Sequence, residues 1–178
     1  MLDNPIDISE AFNKYCISNL GRVDDASDSS QFTKFLPKSN PNSFFMPDTF
    51  GGEILNIVHN MNNTKSQADD GISNFLVKQT IHNILTPLTH CFNLSLQVGI
   101  FPSNLKISKV VPLYKSGSFE LLNNYRPISL ISSISKILEK LVHTKLSNFF
   151  KTHYIISENQ YGFKNDSSTE MAILDLNQ

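Results

Sequence analysis

The hydrophobic positions of the first 70 residues recur at helical spacing in two places. The spacing predicts a first helix, ended by Gly21, whose apolar positions are Ile8, Ala11, Phe12, Tyr15 and Leu20. A shorter helix is predicted from Ile54, Ile57, Val58 and Met61. Between the two helices, residues 24–49 are rich in Asp, Ser, Asn and Pro, which predicts a linker or a loosely docked arm.

Two further helices are predicted before residue 99. The first runs from about residue 72 to residue 85. Thr86 has the character of an N-cap, with Pro87 at the first position of the second helix and Gly99 just past its end. The inner face of this second helix consists of Leu88, Cys91, Phe92, Ser95 and Leu96.

Two short apolar stretches with proline inside them predict a β-hairpin. These stretches are "VVPLYK" (110–115) and "YRPISLI" (125–131), and the polar segment between them predicts a turn. Pro127 cannot donate a hydrogen bond to a sheet, and it restricts Arg126 to an extended conformation.

Alternation along the two strands places cations at the loop end of this hairpin. Lys115 shares a face with Val111 and Leu113, whereas Arg126 shares a face with Ile128 and Leu130. If these faces coincide, Lys115 and Arg126 meet, and like charges in a sheet are destabilising unless an anion lies between them. The pair therefore predicts a cationic clamp for phosphate. The alternative is that both side chains point into water.

A long amphipathic helix follows, capped by Ser132 or Ser133. Its apolar stripe, which we expect to pack against the hairpin and the Pro87 helix, comprises Ile134, Ile137, Leu138, Leu141, Val142, Leu146, Phe149 and Phe150. The lysines that lie largely off the stripe are Lys136, Lys140, Lys145 and Lys151. A last amphipathic segment begins at Met171 and is cut short at the end of the chain, which we interpret as a truncated domain.

The charge is distributed unevenly along a chain of 178 residues with a formal net charge of −1. Residues 106–151 hold eight basic and two acidic side chains, which predicts a face that binds a polyanion; solvated lysines are the alternative. Cys16 and Cys91 lack zinc-ligand spacing and are expected to be small buried hydrophobes. Because no signal peptide or membrane-spanning stretch is evident, we expect an intracellular protein, cytoplasmic or nuclear, without a membrane partner.

A series of motifs in fixed order resembles a known family. "FPSNLKISKVVPLYKSG", "NNYRPISLISSISKILEKLV" and "QYGFKNDSST" resemble the reverse transcriptase domain of non-LTR (LINE-type, jockey-like) retrotransposons, most strongly over residues 70–169. The resemblance implies an α+β fold: the fingers part of a right-hand polymerase, mostly helical with an antiparallel hairpin, truncated before the catalytic palm. Residues 1–71 would then be N-terminal helices and a linker, and residues 72–178 the fingers and the start of the palm.

The resemblance also implies roles for individual residues. Lys115 and Arg126 match basic positions beside the incoming nucleotide triphosphate, and Gln160, Gly162 and Lys164 match positions near template and primer. Core packing is the alternative for Tyr161 and Phe163, and it is favoured for Phe163. The chain departs from the family in "ADDGI" (68–72), in Lys164 where arginine is usual, and in "NDS" (165–167).

The expected partners are an RNA template, a DNA primer and a deoxynucleoside triphosphate. The full-length family enzyme is expected to use Mg²⁺, held by palm aspartates downstream of this chain, so no catalytic or metal-binding residue is assigned here. Asp175 is interpreted as a helix residue. The predicted function is a reverse transcriptase fragment that is inactive alone. A non-catalytic nucleic-acid-binding module derived from such an element is the alternative.

Overall fold

The fold combines helices with one small antiparallel sheet, in a computed structural model that describes residues 4–19, 42–157, 160–164 and 166–176. It is therefore an α+β fold, as predicted. The elements in chain order are α1 (Pro5–Asn19), α2 (Gly51–Asn60), α3 (Asn74–Val98), β1 (Ser108–Tyr114), β2 (Tyr125–Ile131), α4 (Ser133–Thr152) and α5 (Thr169–Leu176). Short 3₁₀ turns occupy Ser103–Lys106 and Leu122–Asn124.

The predicted linker, residues 24–49, lies only partly within the described residues. Gly21 and residues 24–41 lie outside the described residues, and residues 42–49 have no regular secondary structure. The predicted division of the chain between residues 71 and 72 stays a prediction.

The hydrophobic core lies between α2, α3 and α4. Its buried side chains are Ile54, Val58, Val77, Ile81, Phe92, Ile137, Leu138 and Leu141. Full burial of such a side chain stabilises a fold by about 1.5–3 kcal/mol. The stripe predicted on the long helix is confirmed, because the three α4 members of this core belong to it and the other stripe residues are half-buried.

The prediction of two helices around Pro87 is wrong, because α3 is one helix of 25 residues with Pro87 inside it. Ser73 caps its start by accepting a hydrogen bond from the Leu76 amide, and Gly99 ends it with a φ of 71°. An interior proline costs about 3 kcal/mol through the lost hydrogen bond and steric conflict. Ile81 and Phe92 are buried on either side of Pro87, so packing on both sides holds the two halves together.

The hairpin is confirmed, but the prediction that it packs against the stripe of α4 is wrong. β1 and β2 pair in antiparallel register, with Val111 opposite Ile128 and Leu113 opposite Arg126. Every β1 side chain except the half-buried Tyr114 is exposed, and the core on α4 is completed by α2 and α3 instead. The apolar strand residues therefore do not contribute to the main core.

The two prolines of the hairpin occupy equivalent places on its two outer edges. Pro112 lies directly opposite Pro127. The Lys115 amide donates a hydrogen bond of 2.8 Å to the Asn124 carbonyl, and hydrogen-bonded pairs alternate along an antiparallel ladder. By that alternation the backbone nitrogens of Pro112 and Pro127 point away from the partner strand. Neither proline therefore removes a hydrogen bond between the strands.

The two cysteines differ in their exposure. Cys16 is half-buried, but Cys91 is exposed, so the expectation of burial is wrong for Cys91. Within the described ranges, no helix is both long enough and apolar enough to span a membrane.

Candidate nucleic-acid interface

Aromatic side chains support the loop that joins the two strands. Tyr114 stacks on Phe119 with ring centroids 4.1 Å apart, and Tyr125 meets Tyr114 edge-on at 5.6 Å. Phe12 of α1 meets Tyr125 at 4.9 Å, which brings the first helix against this end of the hairpin. Tyr114 and Tyr125 form an opposed pair, so these contacts lie on the face opposite the Leu113–Arg126 pair.

Hydrogen bonds fix the same loop. The Tyr114 hydroxyl donates to the Gly117 carbonyl at 2.6 Å, and the Asn124 side-chain amide donates to the Ser118 carbonyl at 2.8 Å. Gly117 has a φ of 99°, and a Cβ there would lie 2.6 Å from the Asn124 side chain. Only glycine satisfies both conditions, so the turn before the 3₁₀ segment has a defined shape.

Arg126 is exposed near the loop end of β2, opposite Leu113. Lys115, the first residue after β1, is also exposed. It lies opposite Asn124, to whose carbonyl its amide donates a hydrogen bond, and not opposite Arg126. Continued alternation puts Lys115 on the face of Leu113 and Arg126, as a diagonal neighbour of the arginine. Such neighbours lie about 7–8 Å apart. The register is therefore compatible with the shared face predicted from sequence, but Lys115 is offset from Arg126 by two residue pairs, so the two side chains do not lie directly opposite each other.

Between its cations, the face that carries Arg126 is apolar. Val111, Leu113 and Ile128 are all exposed on it, and Lys109 lies at its far end opposite Leu130. An exposed apolar row between two cations suits a surface that meets another molecule.

The segment from Gln160 to Lys164 is exposed at the positions predicted to contact template and primer. Gln160, Gly162 and Lys164 are all exposed, and the Gln160 side-chain amide donates to the Gly162 carbonyl at 3.3 Å. Between described residues, no hydrogen bond or ion pair joins this segment to the hairpin. The Tyr161 hydroxyl donates instead to the Asp175 carboxylate, which lies on α5 as predicted.

The preference for core packing at Phe163 is wrong. Its side chain is fully exposed, and its backbone has a φ of 60°, a conformation that non-glycine residues seldom adopt. The core is formed by side chains of α2, α3 and α4, and Phe163 does not belong to it.

The lysines of α4 divide into two groups that the sequence analysis did not separate. The Lys145 side chain is only 8% exposed, and its Nζ lies 3.4 Å from Glu53 and 3.3 Å from the Asp48 carbonyl. Lys136 and Lys140 are exposed, and neither has an ion-pair partner among the described residues. The position of Lys145, one turn after Leu141 of the stripe, is the sequence signal that could have identified it.

Carboxylates are not gathered into a metal site in the part of the chain that the structure describes. No group of three or more His, Cys, Asp or Glu side chains there could hold a metal ion. The expectation of Mg²⁺ for the full-length family enzyme stays a prediction.

Comparison with known proteins agrees with the motifs. The chain is 27% identical over 158 residues to a probable RNA-directed DNA polymerase from transposon X-element of Drosophila melanogaster, covering 88% of this chain and 17% of the relative. It is 30% identical over 118 residues to the probable polymerase from transposon BS of the same species, covering 66% and 13%. It is 28% identical over 113 residues to the RNA-directed DNA polymerase from mobile element jockey of Drosophila melanogaster, covering 63% of this chain and 12% of the relative.

The chain is therefore similar to the RNA-directed DNA polymerases, or reverse transcriptases, of transposable elements. These relatives support the resemblance to the non-LTR, jockey-like group that the motifs indicate. The chain spans only 12% to 17% of the length of these relatives. No family model matches the sequence.

Proposed function

We propose that this chain contributes nucleotide and template contacts to a reverse transcriptase of a jockey-like element, as the fingers part of a right-hand polymerase. The observation that carries the proposal is the "YRPISLI" strand, which is exposed from Arg126 to Ser129 and displays Arg126 beside a loop of fixed shape. The relatives, named as RNA-directed DNA polymerases, support the class of reaction.

The proposed nucleotide site consists of Arg126 and Lys115. The guanidinium group can donate two parallel hydrogen bonds to a phosphate, whereas the lysine acts as a point charge. A triphosphate between them would relieve the repulsion of two cations on one face of the hairpin. The aromatic cluster on the other face would hold the loop in place when the anion binds, so little ordering would accompany binding.

The proposed template and primer contacts are Gln160, Gly162 and Lys164. Lys164 would contact a phosphate, and Gln160 offers both a donor and an acceptor. The exposed ring of Phe163 fits this role better than a place in the core, because bases stack on aromatic side chains. The proposal assigns the metal-binding carboxylates of the polymerase to residues other than those of this chain.

Equilibrium titration of the purified chain with a fluorescent deoxynucleoside triphosphate tests this function. Loss of a charge-assisted hydrogen bond costs about 1.5–3 kcal/mol, so Arg126→Gln is expected to weaken binding about tenfold or more. Lys115→Gln should weaken binding to a smaller extent. The matched control is Lys151→Gln, which removes an exposed cation at the end of α4 and should leave the affinity unchanged. Equal affinity of Arg126→Gln and the unaltered chain would overturn the proposal.

A further inference from the structure

An apolar cavity lies between α1 and β1. Its volume is about 400 Å³. Its apolar walls come from Pro5, Ile8 and Phe12 of α1 and from Val110 and Pro112 of β1. Ligand sites in proteins are concave, mostly apolar and about 300–1,000 Å³ in volume. The cavity therefore has the size and the lining of a site for a small molecule.

The cavity lies on the face of the hairpin that is opposite the cations. Val110 and Pro112 are separated by one residue on β1, so they share a face, and Arg126 lies on the other face. Phe12 lines the cavity, and its ring also meets the Tyr125 ring with centroids 4.9 Å apart. This aromatic contact holds α1 beside the hairpin, and the cavity is the space that the two elements enclose. A molecule in it would not compete with a phosphate at Arg126.

No charged side chain lines the cavity among the described residues. α1 carries Asp7, Glu10 and Lys14, but none of them belongs to the walls, and Glu10 and Lys14 form an exposed pair with a separation of 4.0 Å. A charged ligand would lose hydration in the cavity without gaining an ion-pair partner. The cavity therefore selects uncharged molecules.

Two of the apolar wall residues keep much of their surface in contact with water. Ile8 is 37% exposed and Val110 is 47% exposed. Burial of apolar surface is a dominant favourable contribution to association, so a ligand that covers both side chains is stabilised by each of them. A fused aromatic ring system has few rotatable bonds to immobilise, and its face can pack against the Phe12 ring.

The polar groups of the walls are all neutral. The Ser9 hydroxyl donates to the Ile6 carbonyl at 2.8 Å, so it can only accept a further hydrogen bond. Asn13 is exposed, and the Cys16 thiol is free and half-buried. These groups suit a ligand that carries a single neutral polar substituent.

We propose that this cavity binds a compact, uncharged aromatic molecule, with its ring system between Phe12, Ile8 and Val110. The site does not depend on a nucleotide at Arg126. A molecule bound there would contact α1 and β1 together and so join the first helix to the hairpin.

Titration with prodan, an uncharged aminonaphthalene ketone whose fluorescence reports an apolar environment, tests the proposal on the 178-residue chain. Saturable binding is expected. Ile8→Ser removes apolar contact with the ring system and should weaken binding about tenfold. The matched control is Ile17→Ser, which removes the same side chain from α1 at a position that is 62% exposed and outside the cavity. Equal losses in the two variants would overturn the proposal.

Competition tests the predicted charge of the ligand. Acetylnaphthalene is uncharged and should displace prodan, whereas naphthoate has the same ring system with a carboxylate and should compete about tenfold less well or worse. Equal competition by the two compounds would contradict a site that selects uncharged molecules.

Alkylation of the two cysteines locates the ligand without any substitution. Cys16 lines the cavity, whereas Cys91 is exposed on α3 and does not. At a prodan concentration of about ten times its Kd, alkylation of Cys16 by iodoacetamide should slow about tenfold, because only the unliganded fraction reacts. Alkylation of Cys91 should be unchanged, as measured by mass spectrometry of the two peptides. Unchanged alkylation of Cys16, or equal slowing at both cysteines, would overturn the proposal.

Discussion

The Ser133 hydroxyl donates a hydrogen bond of 2.8 Å to the Oδ1 of Asn74, and both side chains are buried. The Asn74 side-chain amide in turn donates to the Asn62 carbonyl at 3.1 Å. The bond between Ser133 and Asn74 therefore connects the first residue of α4 to the first residue of α3, although 59 positions separate them in sequence. This link fixes how the helix after the hairpin begins against the core.

Ser133→Ala is expected to destabilise the fold by about 1–3 kcal/mol, because Asn74 Oδ1 would lose its partner in a buried place. The free energy of unfolding in urea measures this effect. The matched control is Ser129→Ala, which changes an exposed strand residue and should alter the free energy by less than about 0.5 kcal/mol. Equal effects of the two substitutions would show that the buried link contributes nothing.

Leu138→Ala and Leu141→Ala are each expected to lower the free energy of unfolding by about 2–5 kcal/mol, since both side chains are buried in the core. Leu113→Ala removes the same atoms from an exposed place on β1 and should cost less than about 0.5 kcal/mol. Denaturant titration of the three variants compares the two locations directly. A large loss at Leu113 would mean that the hairpin is part of the core.

Pro112 and Pro127 are expected to keep the hairpin from pairing edge to edge with other copies, because each interrupts an outward-facing row of strand donors. Replacing both prolines with Val should restore continuous edges and cause association that rises with protein concentration. Sedimentation velocity measures the association, with Pro102→Val outside the strands as the control. If the double variant remains as monodisperse as the control, the prolines do not protect these edges.

The sequence was sufficient for the elements whose pattern is local. The stripe of α4, the two strands and the C-cap at Gly99 follow from periodicity and from glycine and proline chemistry within a few residues. Pro87 was misinterpreted because packing of Ile81 and Phe92 on either side of it overrides a local helix-breaking signal. That packing depends on α2 and α4, which no local pattern near Pro87 reveals.

The candidate site was predictable in part for the same reason. Alternation predicted the shared face of Lys115 and Arg126, but their offset of two residue pairs depends on the register of the hairpin. A groove lined by Asn56, Asn60, Lys136 and Lys140 could not be predicted, because it forms only where α2 packs beside α4. The exposure of Phe163 was also missed, since an aromatic residue in a polar segment has no local signal for its surroundings.

The central claim is that Arg126 and Lys115 contact the phosphates of a nucleotide. The most direct measurement is photo-crosslinking of the chain with a dATP that carries an aryl azide on its γ-phosphate, followed by mapping of the labelled peptide by mass spectrometry. We expect labelling within the hairpin, in the peptide that contains Lys115 or Arg126, with competition by unlabelled dATP and a marked loss in Arg126→Gln. Arg126→Lys should retain only part of the labelling, because a point charge cannot reproduce the planar fork. Labelling elsewhere on the chain, or labelling of the hairpin that neither dATP nor Arg126→Gln reduces, would contradict the claim.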